Sequence, residues 1–202
     1  MRARNPWQEK KPVRSILQRQ ESFCIFTEGE TEKNYFFDFG LRSVRIRCLG
    51  GGGVRHLVSE AKCYMKQEKY SDFDHYWLVF DKDNNSASDI QKAISSAKRN
   101  KISWCFSNPC FEIWLLLHFV YFLTSTTSQD LKTRIVPQYI PGYEETMSGI
   151  ADLLKDKQGD AIRNSRKLWP KRERSPLAKQ LYNDLPSTNV DDLVCALNNC
   201  SI

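Results

Sequence analysis

The sequence lacks the apolar segments that membrane insertion and export require. The most apolar stretch, residues 113–123, is interrupted by His118 and is too short to span a bilayer. The first twenty residues are basic and polar, without the apolar segment of a signal peptide. We therefore expect a cytoplasmic protein that does not contact membranes.

The sequence also shows neither a disulfide framework nor a nucleotide-binding loop. Its seven cysteines are an odd number and lie mostly in apolar surroundings, which favours reduced thiols. Residues 50–53 are four glycines, but they have neither the Gly-Lys-Ser/Thr of a P-loop nor a G-x-G-x-x-G spacing. We predict a flexible turn there, with backbone amides that lie near a phosphate as the alternative. ATP hydrolysis, if involved, would then come from a partner chain.

Positive charge and an ordinary apolar content are present instead. The chain of 202 residues carries a net charge of +6 with a pI near 8.9, which suits a polyanionic partner. Its hydrophobic fraction of 41% is sufficient for a core. We predict three segments: a basic arm at 1–20, an α/β core at 21–123, and a helical insertion with C-terminal helices that pack on the core at 124–202. The arm either contacts phosphates or keeps the protein in solution.

A short apolar run at residues 23–26 predicts the first buried strand. This strand would deliver Glu28 to the carboxyl edge of a sheet, where open α/β folds bind their ligands. Gly29 allows a tight turn, and Thr31 is the predicted N-cap of the helix that follows.

Three carboxylates within five residues, Glu28, Glu30 and Glu32, repel one another at such an edge. A bound divalent cation would offset that repulsion. The alternative is that acids in the first turn complement the helix dipole. We assign Glu30 and Glu32 to the helix dipole and Glu28 to function.

The strongest predicted strand, residues 76–80, ends in Asp81 and Asp83. Being two residues apart, both side chains project from one side if the strand geometry continues. Paired carboxylates at a strand end hold Mg²⁺ together with water and substrate oxygens, although an Asp/Asn-rich turn is the alternative. In combination with Glu28 we favour the metal site. We predict that Glu28, Asp81 and Asp83 converge on one cation from neighbouring parallel strands.

An apolar stretch at residues 110–123 predicts a buried helix with Asn108 as N-cap and Pro109 at its first position. Glu112 lies in its first turn, near the same sheet edge. A buried carboxylate needs a partner, so Glu112 is either a capping charge or a further metal or substrate contact, and we favour the contact. The other predicted elements are strands at 44–49 and 102–106, helices at 54–70, 86–101 and 143–168, and a last helix that ends at 197.

Basic residues around Trp169 predict a nucleic-acid-binding surface, with a solvated basic face as the alternative. These residues are Arg163, Arg166, Lys167, Lys171, Arg172 and Arg174.

The pattern of acids resembles known proteins. A glutamate after the first strand and an Asp-x-Asp after a central strand resemble the Toprim fold of topoisomerases, primases and OLD-type nucleases. Residues 27–36, 80–83, 107–116 and 186–190 together resemble the RloB family. Members of that family are bacterial, are associated with restriction-modification and anti-phage loci, and often accompany an ATPase. The resemblance spans about 22–197 and leaves the basic arm outside.

The resemblance implies a Toprim-like α/β fold: a mostly parallel sheet flanked by helices, with a C-terminal helical insertion. Glu28 would be the Toprim glutamate, and Asp81 and Asp83 would be the pair that binds Mg²⁺ or Mn²⁺. The implied activity is a metal-dependent nuclease that hydrolyses RNA, including tRNA, or DNA in anti-phage defence. The alternative is a non-catalytic module that binds nucleic acid or a partner. An ATPase partner is implied, and a homo-oligomer is left open.

Overall fold

The computed structural model describes residues 21–82, 85–169 and 185–198, and a five-stranded sheet lies at its centre. The strand order is β2-β1-β3-β4-β5; the first four strands are parallel, and β5 pairs antiparallel with β4. The strands are β1 (Phe23–Thr27), β2 (Val44–Cys48), β3 (His75–Asp81), β4 (Ser103–Asn108) and β5 (Ser187–Thr188). This sheet confirms the predicted α/β class and is consistent with a Toprim-like fold.

Helices cover both faces of the sheet. The α-helices are α1 (Glu30–Phe37), α2 (Gly53–Met65), α3 (Ala87–Arg99), α4 (Glu112–Leu116), α5 (Ser128–Asp130), α6 (Val136–Tyr139), α7 (Ile150–Leu154), α8 (Gln158–Leu168) and α9 (Val190–Leu197). A π-helical turn (Leu131–Ile135) joins α5 to α6, and 3₁₀ turns lie at Glu68–Tyr70 and Lys155–Lys157. Among the described residues, no helix has the length and apolar character of a membrane span.

The apolar run of β1 contributes to two separate cores, because successive side chains of a strand point to opposite faces. Phe23 and Ile25 pack in a cluster with side chains of α1, α4 and the C-terminal helices. Cys24 and Phe26 pack in a second cluster with α2 and α3. Burial on both faces explains why this strand is apolar at four consecutive positions, 23–26, rather than at alternate ones.

Strands β1 and β3 are parallel neighbours, as the sequence predicts. Thr27 lies beside Val79 in the pairing register, and the Glu28 N–H donates to the Val79 carbonyl oxygen at 3.0 Å. The ladder therefore continues one residue past β1. Glu28 and Asp81 consequently reach the same carboxyl edge of the sheet.

The prediction of a helix at 110–123 is wrong about where the helix begins and how long it is. Only Glu112–Leu116 is α-helical, with Phe111 as its N-cap. Asn108 cannot cap it, because its backbone pairs with Ser187 in β5 and its side chain donates to the Leu185 carbonyl oxygen at 2.9 Å. The predicted burial is confirmed, since every side chain of α4 is buried.

The C-terminal half departs from the predicted elements at two places. The helix predicted at 143–168 begins only at Ile150, after Gly149 at positive φ, and a 3₁₀ turn at Lys155–Lys157 divides it into α7 and α8. Ser187 and Thr188 form β5, and the Thr188 hydroxyl also accepts the Val190 N–H at 3.2 Å, where α9 begins; α9 ends at Leu197, as predicted. Side chains of α7, α8 and α9 join the cluster that also contains Ile25.

Candidate functional site

A cleft of about 240 Å³ opens at the carboxyl edge of β1 and β3, and its lining is strongly acidic. Lys132 is the one cationic residue among the described residues that line it. Six carboxylate side chains share the lining with it: Glu28, Glu30, Glu32, Asp81, Glu112 and Glu145. This concentration of negative charge contrasts with the positive charge of the whole chain.

Asn85 joins the acids to the glycine turn. Its Nδ2 lies 3.3 Å from both carboxylate oxygens of Glu28 and donates to the Asp81 carbonyl oxygen at 2.9 Å. Its Oδ1 accepts the Val54 N–H at 2.8 Å, which caps α2 from outside that helix. Gly50 allows the turn to approach closely, because a Cβ atom there would lie 2.7 Å from the Glu28 carbonyl oxygen. The glycine turn thus borders the acidic cleft.

Asp81 holds a carboxylate oxygen that lacks a donor. Its Oδ2 accepts the Phe111 N–H at 3.1 Å, whereas Oδ1 is buried and has no hydrogen-bond partner within the described part of the chain. Burial and the charges of Glu32, Glu112 and Glu28 raise the pKa of Asp81 well above its usual value, and the Phe111 N–H opposes the increase. An unpaired buried carboxylate oxygen is unfavourable, so this atom is available to a cation.

Glu32 belongs to the site, although its position in the sequence predicts only that it complements the helix dipole. It is only 3% exposed, and burial raises its pKa to about 8, with further increases from Glu112 and Glu28. Its carboxylate packs against Gly29, where a Cβ atom would lie 2.4 Å from Oε2. The signal was in the spacing: Tyr35 and Phe36 follow at three and four residues, so Glu32 shares their buried helix face.

The other two assignments on α1 have different outcomes. Glu30 is half-exposed and forms an ion pair with Lys33 at 2.7 Å, which lowers its pKa. The prediction that Thr31 is the N-cap is wrong, because α1 begins at Glu30 and Gly29 is its N-cap. The Thr31 hydroxyl instead donates to the Glu145 carbonyl oxygen at 2.6 Å and holds the far wall of the cleft against α1.

Glu112 enters the cleft from the start of α4. It is 1% exposed, and its Oε1 accepts the Tyr143 hydroxyl at 2.7 Å. Lys132, in the π-helical turn, donates to Glu145 Oε2 at 3.0 Å. Burial lowers the pKa of Lys132, but Glu112 and Glu145 reverse this effect, so the net shift is upward and the ammonium stays charged. One fixed positive charge therefore faces six carboxylates.

The residues present fit a hard divalent cation held by few protein ligands. Within residues 21–82, 85–169 and 185–198, no three His, Cys, Asp or Glu side chains are arranged as a metal site. Asp83, the predicted third ligand, lies outside the described residues. Mg²⁺ needs only one or two carboxylates with water and substrate oxygens, and Glu28 with the unpaired Oδ1 of Asp81 satisfies that requirement. The convergence of all three acids stays a prediction, as does metal binding by Glu112.

The basic residues predicted to bind nucleic acid are partly engaged elsewhere. Arg163 pairs with Asp160 within α8, and Arg166 pairs with the buried Asp191 of α9 at 3.2 Å. Lys167 lies 6.0 Å from the ring centre of Tyr121. The other three members of the group, Lys171, Arg172 and Arg174, lie outside the described residues.

The fold and its acidic edge define an α/β protein whose candidate site lies where the central parallel strands end. The family model for RloB-like proteins matches residues 23–197, and the chain belongs to this RloB-like family. Neither a curated protein nor a solved structure matches the chain.

Proposed function

We propose that the protein is a Mg²⁺- or Mn²⁺-dependent nuclease that hydrolyses phosphodiester bonds of RNA, including tRNA, or of DNA in bacterial anti-phage defence. The observation that carries the proposal is the enclosed and unpaired Oδ1 of Asp81, next to Glu28 at the carboxyl edge of parallel strands. Four buried or half-buried acids repel one another here, and a cation relieves that repulsion.

Glu28 and Asp81, with Asp83 as the sequence predicts, would hold the cation. When bound, it would polarise a phosphate oxygen and offset the charge that develops in the transition state. Glu28 has a second role, because a carboxylate at the cleft can move a proton to or from the leaving oxygen. Asn85 keeps Glu28 oriented by donating to its carboxylate.

The role in defence rests on membership of the RloB-like family and on the association with anti-phage loci that the resemblance to this family implies. A partner ATPase belongs to the same proposal. The sequence shows no P-loop, and we therefore assign any ATP hydrolysis to this partner. The net charge of +6 agrees with a polyanionic substrate.

Cleavage of labelled RNA and DNA mixtures tests the proposal, with Mg²⁺, Mn²⁺ or EDTA and with the partner ATPase present and absent. We expect cleavage that EDTA abolishes, and loss of cleavage in Glu28→Gln and Asp81→Asn without loss of folding. Glu30→Gln is the matched control, because Glu30 borders the same cleft but pairs with Lys33 on the surface. Cleavage by Asp81→Asn at the wild-type rate contradicts the proposal.

A non-catalytic module that binds nucleic acid or a partner is the second candidate. The net charge of +6 favours it, because it suits a polyanionic ligand whether or not that ligand is cleaved. In that case wild-type protein binds nucleic acid in EDTA but does not cleave it with either metal, with or without the ATPase.

A further inference from the structure

A shallow groove of about 140 Å³ lies between α2 and α3 on the face of the sheet that both helices cover. Arg55, Ser59 and Lys62 line it from α2, at spacings of four and three residues that place them on one face of that helix. Lys92 and Ser96 line it from α3, also four residues apart. The groove therefore has cations and hydroxyl groups on both walls.

The groove is positively charged, and Asp89 beside it offsets part of that charge through its attraction to Arg55 and Lys92. None of the described residues that line it is acidic. Arg55 approaches Asp89 at 3.5 Å, but its side chain is 66% exposed, so this pair is weak. Within the described part of the chain, Lys62 and Lys92 form no ion pair. Arg166 of α8, in contrast, is paired with the fully buried Asp191.

The two helices that form the groove begin beside the acidic cleft, which Asn85 lines. Asn85 contacts Glu28, caps α2 through Val54, and directly precedes Ser86, the N-cap of α3. Both helices thus begin at the residue that orients the acid, and both lead away from the carboxyl edge of the sheet. From Arg55 to Lys62 the cations extend about 10 Å along α2.

We propose that the α2–α3 groove binds the sugar–phosphate backbone of the nucleic-acid strand that enters the acidic cleft. That the bound strand continues into the cleft rests on the proposed function, whereas binding to the groove does not require cleavage. Cations and hydroxyl groups recognise phosphate and sugar, and the described lining, which includes Val58 and Ala93, has no aromatic residue on which a base could stack. The groove therefore contacts the backbone and tolerates many sequences.

The test is the binding of labelled single-stranded RNA and DNA oligonucleotides in EDTA. Fluorescence anisotropy measures the affinity from 50 to 200 mM salt. We expect Lys62→Gln/Lys92→Gln to lower the affinity roughly 25-fold at 0.1 M salt and to reduce the slope of log K against log salt by about 1.4, since each lost phosphate contact removes about 0.7. Lys62→Arg/Lys92→Arg should retain wild-type binding. The matched control is Lys155→Gln/Lys157→Gln, which removes two exposed charges from a different helical turn.

Three results overturn the inference: no binding by wild-type protein, an equal loss in the Lys155 and Lys157 control, or a larger loss in Arg163→Gln/Lys167→Gln than in the groove variant. The two proposals remain distinguishable, because these measurements contain no metal and no cleavage. Groove-dependent binding without cleavage under any condition retains the inference and refutes the nuclease. Metal-dependent cleavage by wild-type protein, together with wild-type binding and a wild-type cleavage rate in the groove variant, retains the nuclease and refutes the inference.

Discussion

Replacing the buried Glu32 with glutamine should stabilise the metal-free protein and remove part of its pH dependence. The Glu32 carboxyl group is 3% exposed and faces Glu28 and Glu112, so ionisation is unfavourable in the folded chain. Glutamine keeps the size of the side chain and never ionises. The variant therefore isolates the effect of one charge.

The size of the effect follows from the shifted pKa. Burial raises the Glu32 pKa from 4.5 to about 8, so the folded state binds the proton more tightly than the unfolded state does. The contribution of Glu32 to the free energy of unfolding must then fall as the pH rises from about 4.5 to about 8. The buried His118, whose pKa is lowered to about 4, contributes in the opposite direction below about pH 6.5. At pH 7 the loss is about 3 kcal/mol, at 1.36 kcal/mol for each pH unit above 4.5. Asp81, whose pKa is also raised, adds to the decline.

Urea unfolding in EDTA between pH 5 and pH 9 measures this effect. The stability difference between Glu32→Gln and wild-type protein should widen as the pH rises, and the variant should be the more stable of the two at pH 8. Glu30→Gln is the control and should follow wild-type protein closely, because Glu30 is half-exposed and paired with Lys33. A pH dependence in Glu32→Gln identical to that of wild-type protein would refute the reasoning.

Two further predictions concern stability. Trp114→Ala or Leu116→Ala should lower the free energy of unfolding by about 2–5 kcal/mol, because each leaves a cavity in the core. Phe37→Ala, at an exposed site, should change it little. Equal losses for the buried and the exposed site in urea titrations would contradict this. Asn85→Ala should lower it by about 1–2 kcal/mol, because the Val54 N–H loses its acceptor and the Glu28 carboxylate loses a donor, and unchanged thermal and urea unfolding would contradict that.

The sheet was predictable because its strands carry strong local signals. The apolar runs of β1 and β3 and the acids that follow them indicated neighbouring parallel strands, and the structure pairs them. Two-residue β5 has no such signal, since its pairing with Ser107 and Asn108 is a tertiary contact. The predicted helix at 110–123 failed because an apolar stretch indicates burial but does not by itself fix the backbone conformation.

The candidate site was predictable only in part. Glu28, Asp81 and Glu112 were expected at one sheet edge, and all three line the same cleft. Glu32 has the usual position of an acid that complements the helix dipole, and only its spacing to Tyr35 and Phe36 indicates that it is buried. The bridging role of Asn85 depends on contacts with residues 31 and 57 positions away, which no local pattern encodes.

The central claim, that the acidic cleft holds a divalent cation, is tested by measuring Mn²⁺ binding at pH 7.5 with calorimetry and electron paramagnetic resonance. Wild-type protein and Glu30→Gln should bind Mn²⁺ with equal affinity and release protons, because ligands must deprotonate. Asp81→Asn should bind at least about tenfold more weakly, since it loses a charged ligand. Equal binding by Asp81→Asn, or no binding by wild-type protein, would contradict the claim.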